Sequence, residues 1–145
     1  MLLRRRSEKV DVLRKVPLLS GLSARHLDLI ARHADEVKVN AGTVLARQGS
    51  LGSEFFVILD GGAQVEMDGK VMARLDAGDI VGEMSLIDQK PRSATVIAKT
   101  PMVLLVIESR SFSALLDDVP ALRRKVMVTL CERLRAVDAA LAVRN

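Results

Sequence analysis

The feature that most restricts what this chain can fold into is the rhythm between Glu36 and Ile107, where short β-prone runs alternate with glycine-bearing turns. Val37-Lys38-Val39, Phe55-Phe56-Val57-Ile58-Leu59 and Ala63-Gln64-Val65-Glu66-Met67 have strand length and composition. Asp68-Gly69 separates Val65-Glu66-Met67 from Val71-Met72-Ala73, and an Asp-Gly pair accepts the positive φ angles of a two-residue hairpin turn. Asp60-Gly61-Gly62 and Asp76-Ala77-Gly78-Asp79 mark two further turns. Short strands at a spacing of roughly 8–12 residues, with no helix of any length before Met84, predict a closed roll or sandwich rather than a parallel α/β sheet.

Helical patterns flank this segment. Val10, Leu13 and Val16, then Leu27, Ile30, Ala31 and Ala34, recur at helix spacing, interrupted by Pro17 and Ser20-Gly21. Ser23 has the small hydroxyl expected of an N-cap, which predicts a helix of about three turns after it. Beyond Ser109, Phe112, Leu115 and Leu116 form a short amphipathic piece, and Pro120 suits the first turn of a new helix. Leu122, Val126, Leu130, Leu134, Val137 and Leu141 stripe that last helix, which must face either the roll or a partner. The reading is one domain: N-terminal helices over 1–35, a β-roll over 36–108 and C-terminal helices over 109–145.

At 145 residues the chain fits one domain of ordinary size. Hydrophobic residues make up 49% and aromatics 2%, so the core must come from Leu, Val, Ile, Ala and Met. No apolar run reaches the roughly 18 residues of a membrane span, and Arg4-Arg5-Arg6 follow rather than precede the apolar residues of a would-be signal peptide. The expectation is a cytoplasmic protein without membrane contact. Cys131 is alone, so neither an intramolecular disulfide nor a cysteine metal cage is expected. The net charge of +4 is split between Arg4-Arg5-Arg6 and Arg123-Arg124-Lys125 near opposite ends, and three Phe with no Tyr or Trp offer few stacking platforms for nucleic acid.

Chemistry concentrates in residues 78–96, which hold a glycine turn, an acid and a base. Gly82 lets backbone approach a ligand closely, and a short helix over Glu83–Ile87 would offer free N–H groups to an anion. Arg92 follows the stiff Pro91, and its planar guanidinium can grip two phosphate oxygens. Glu83 repels phosphate but can accept from a sugar hydroxyl, so the two together suit a sugar phosphate. On the residues alone, Glu83 and Arg92 read equally well as a salt bridge across a loop.

The segment Gly82-Glu83 through Arg92-Ser93-Ala94-Thr95 resembles the phosphate-binding cassette of cyclic nucleotide-binding domains, as found in cAMP-dependent kinase regulatory subunits, nucleotide-gated channels and catabolite-activator-type regulators. Leu13-Arg14-Lys15-Val16-Pro17-Leu18-Leu19-Ser20-Gly21-Leu22 looks like the family's opening helix, and Phe55–Gly61 like its central strands. The resemblance implies a mainly β fold with flanking helices: a double-stranded β-helix, or jelly-roll-like β-roll, with C-terminal helices serving as lid and dimerisation element. It further implies that the ligand is cAMP, with cGMP the alternative, and that Ser93 in place of Thr favours cAMP. By the same likeness Glu83 takes the ribose 2′-hydroxyl and Arg92 the cyclic phosphate. The N–H groups of Ser85 and Ser93 take the remaining oxygens. Gly82 and Met84 belong to the same turn, Val65 and Met72 line the base pocket, and Leu134, Val137 and Asp138 cap the base.

Other classes fit less well. His26 and His33 both precede the β region, and residues 36–107 contain no histidine, unlike the metal-dependent jelly rolls that resemble cupins. No catalytic or metal site is expected, and no cofactor apart from the nucleotide ligand. Only a few residues follow Leu141, so a helix-turn-helix and direct DNA binding are not expected of this chain. Three roles remain: a cyclic nucleotide sensor signalling through its C-terminal helices, with a homodimer as one form; a degenerate roll acting by protein contact; and a cupin-like enzyme.

Overall fold

In a computed structural model, residues 6–82 and 89–144 are described. The chain opens with α1 (Arg6–Arg14), a 3-10 turn (Pro17–Leu19) and α2 (Ala24–Arg32). Eight strands among the described residues follow: β1 (Asp35–Val39), β2 (Val44–Ala46), β3 (Glu54–Asp60), β4 (Ala63–Met67), β5 (Lys70–Leu75), β6 (Ile80–Val81), β7 (Thr95–Ala98) and β8 (Met102–Glu108). Two helices close it, α3 (Ser109–Asp118) and α4 (Pro120–Arg144). The strands pair antiparallel in two four-stranded sheets, ordered β1-β8-β3-β6 and β2-β7-β4-β5. This is the mainly β architecture with flanking helices that the turn rhythm predicts.

Period-two alternation in β3 and β8 builds both halves of the core. Phe55, Val57, Leu105 and Ile107 face the helices, packing with Leu13, Leu27, Ile30, Phe112 and Leu122. Their neighbours Phe56, Ile58, Leu104 and Val106 face the second sheet, against Ala46, Ala63, Val96 and Ala98. Strands covered on both faces have no polar side to show, which is why Phe55–Leu59 is an unbroken apolar run. Phe55 and Phe112 stack at 4.5 Å between ring centroids, joining β3 to α3.

The local signals act as their chemistry dictates. The Ser23 hydroxyl accepts from the His26 N–H at 3.2 Å, capping α2. Asp68 and Gly69 both take positive φ, 53° and 79°, between paired Met67 and Lys70, giving a two-residue turn that matches strand twist. Pro120 begins α4. The first N–H of α3, on Ser109, has no side-chain cap and donates instead to the Ser53 carbonyl at 2.8 Å, just before β3.

The stripe along α4 divides. Leu122 and Val126 are buried with the helix-side core and Leu130 packs at its edge, whereas Leu134, Val137 and Leu141 are 62%, 55% and 53% exposed. Among the described residues no helix is long and apolar enough to cross a membrane.

Candidate functional site

Arg92 is the buried charged side chain among the described residues, 7% exposed. The segment carrying it is clasped by two backbone hydrogen bonds: the Arg92 N–H donates to the Ser50 carbonyl at 2.8 Å, and its own carbonyl accepts from Gly49 at 2.9 Å. This ladder-like exchange anchors the loop beside the residues that lead into β3. The guanidinium then lies along that chain, its Nη2 donating to the Glu54 carbonyl at 2.7 Å.

Its other terminal nitrogen, Nη1, is buried with no hydrogen-bond partner among the described residues. Leaving a buried donor unpaired costs roughly 1–3 kcal/mol, and more when it is charged. Burial holds the Arg92 pKa below its usual value, and the nearby Glu54 carboxylate opposes that shift. Arginine stays protonated regardless, so what is buried here is a cation with one donor that no described residue satisfies.

Two glycines flank the guanidinium. Gly82 has φ +96°, and a side chain there would fall on Nη1 and come within 2.8 Å of the Glu54 carbonyl. A Cβ on Gly52 would overlap Nε, Cζ and Nη2. Backbone therefore approaches the cation more closely than any other residue permits.

Arg92 lines a cavity of about 430 Å³. Val65, Gly82 and Ser93 line it too, so four of the sequence candidates meet in one place. Ala46, Ala73 and Val96 add apolar wall, and Asp79 and Arg133 add charge. A small ligand with an anionic group and an apolar face fits this lining. Glu83, Met84 and Ser85 lie outside the described residues.

Met72 does not line the cavity and is 59% exposed. In an uninterrupted hairpin closed at Asp68-Gly69, Met72 would face Val65. A register shift between Val65 and Glu66 instead pairs Val65 with Ala73, so Ala73 takes the inward place and Met72 turns out. Leu134, Val137 and Asp138 are likewise exposed and absent from the lining, and α4 reaches the cavity through Arg133. Arg133 is exposed as a residue, yet partial desolvation of its guanidinium beside the cavity lowers its pKa, and the Asp79 carboxylate pulls it back up. A charged helix residue beside an apolar stripe looks like a solvated face, which is why Arg133 escaped sequence reasoning. Among the described residues no group of three or more His, Cys, Asp or Glu could hold a metal ion.

Comparison with known proteins matches residues 36–119 to the family model described as cyclic nucleotide-binding domain. The cAMP-dependent protein kinase regulatory subunit of Schizosaccharomyces pombe is 38% identical over 115 residues, 79% of this chain and 28% of that protein. The chain thus spans under a third of the length of the curated relatives it matches first. Among solved structures, cAMP-bound PfPKA-R superposes with a TM-score of 0.81 at 27% identity, covering 94% of this chain and 47% of that one. The regulatory subunit of a cAMP-independent protein kinase A from Trypanosoma brucei gives a TM-score of 0.76 at 27% identity, covering 86% and 46%. With more than half its length matched, and its buried arginine between two glycines, the chain belongs to the cyclic nucleotide-binding domain family.

Proposed function

We propose that this chain is a non-catalytic sensor that binds cAMP, in preference to cGMP, in the cavity bordered by Arg92 and Val65. The observation that carries the reading is the open Nη1 donor of a buried arginine, which an equatorial phosphate oxygen would satisfy. Fold alone does not decide the ligand, since neighbours of similar shape include both a cAMP-bound and a cAMP-independent regulatory subunit. In the proposed complex Glu83 accepts from the ribose 2′-hydroxyl, the N–H groups of Ser85 and Ser93 complete the phosphate shell, and the base lies against Val65. Ser93 favours adenine over guanine, while the relatives include both cAMP-dependent and cGMP-dependent kinases, at 38% and 35% identity.

Occupancy is passed on through α3 and α4, whose position must differ in free energy between the free and bound states for any signal to result. The exposed outer half of α4 pairs with a second copy in a homodimer. The chain acts in the cytoplasm, as one domain over residues 1–145.

Calorimetric titration with cAMP and cGMP tests the ligand. Arg92→Ala is expected to weaken cAMP at least tenfold, about 1.4 kcal/mol, with the circular dichroism spectrum retained. Equal affinity in the folded variant overturns the assignment. Absence of binding by the unaltered protein favours a roll that works by protein contact alone.

A further inference from the structure

We infer that Gly52 is a positioning residue for ligand binding: it is the seat against which the Arg92 guanidinium is held, and it acts without touching the ligand. The inference rests on the proposal that Arg92 takes the ligand's anionic group.

Three observations carry it. First, Gly52 is not among the residues with positive φ, so its backbone conformation does not itself demand glycine. What demands it is space, because a Cβ there would overlap Nε, Cζ and Nη2 of Arg92 together. Second, the arginine has little freedom to yield. Its backbone is clasped to Gly49 and Ser50, its Nη2 is bonded to the Glu54 carbonyl at 2.7 Å, and between Nη1 and Gly82 there is no room even for a Cβ. A methyl group at 52 must therefore shift the guanidinium plane, and Nη1 moves with it because the group is rigid.

Third, Gly52 is absent from the lining of the 430 Å³ cavity. It lines a separate, smaller cavity of about 250 Å³ that Arg92 also borders. The arginine stands between the two, with the glycine on one side and the ligand cavity on the other. Gly82 cannot isolate this effect, because its φ of +96° strains any replacement whatever the space. At Gly52 the steric demand stands apart from backbone strain.

The test measures cAMP affinity by calorimetry for the unaltered protein, Gly52→Ala, Arg92→Lys and the double variant, with thermal melting of each. Gly52→Ala alone is expected to lose tenfold or more in affinity. In the Arg92→Lys background, where the planar fork is gone, the same substitution is expected to change affinity less than threefold. A purely structural glycine would cost the same factor in both backgrounds, and that result overturns the inference. Should Gly52→Ala alone fail to fold, folding of the double variant supports the seat and its failure overturns it. If the unaltered protein binds cAMP and Gly52→Ala binds it equally well, the seat is wrong and the ligand reading stands. If the unaltered protein binds none, the ligand reading fails and takes this inference with it.

Discussion

The two halves of α4 carry one apolar stripe and meet two fates. Leu122 and Val126 are buried with Leu13, Leu19 and Phe112, while Leu134, Val137 and Leu141 continue the same spacing into solvent. Periodicity says which side chains share a helix face, and burial depends on what stands opposite that face. For the first half the opposite surface is the domain's own core. The second half has left that core behind, and among the described residues Arg133 brings it beside Asp79 of the roll.

The largest expected difference between the halves is in stability. Leu122→Ala should cost about 2–5 kcal/mol in urea-induced unfolding, as a buried leucine truncated in a close-packed core. Leu134→Ala, measured at protein concentrations low enough for a monomer, should stay within about 0.5 kcal/mol. Comparable losses at both sites would erase the distinction.

Raising the concentration sharpens the comparison. If the outer half pairs with a second copy, the unaltered protein gains stability with concentration by mass action and Leu134→Glu does not. Sedimentation equilibrium should then find Leu134→Glu monomeric at concentrations where the unaltered protein is dimeric. Matching profiles would remove the dimer from the proposed function.

The smallest effect concerns Asp79 and Arg133. Because Arg133 is exposed, their attraction is screened, and Asp79→Asn should change stability by less than about 1 kcal/mol. That change should fade as salt is raised to about 1 M, where the screening length is near 3 Å. A loss insensitive to salt would show that Asp79 acts through its bonds to the turn, where one carboxylate oxygen accepts from the Asp76 N–H at 2.7 Å.

What could be read from the sequence was whatever depends on a few consecutive residues. The Asp68-Gly69 turn, the Ser23 cap and the Pro120 start each rest on local backbone preference, and the strand rhythm of residues 36–107 needs no knowledge of the partner strand. Arg92 stands out in the sequence because it lies amid a short, chemically distinctive pattern, and the structure buries it at the edge of the cavity. Met72 was misplaced because one register shift between Val65 and Glu66 reverses which of two adjacent residues faces inward, and no residue type there announces it. Arg133 was passed over for Leu134 because the crossing of α4 over the roll, set by distant packing, selects the residue that reaches the cavity. Nothing in the residues around Gly52 marks it out from any other glycine of a loop. Its reason lies forty positions along the chain, in the arginine it accommodates.

The bond from the Ser109 amide to the Ser53 carbonyl ties the first residue of α3 to the stretch that also seats Arg92. Both partners of that bond are peptide groups, so replacing either side chain leaves it in place. Scanning the protein with alanine would pass over this attachment in silence, and only an ester in place of the amide at position 109, or a proline there, would reveal how firmly the C-terminal helices are moored.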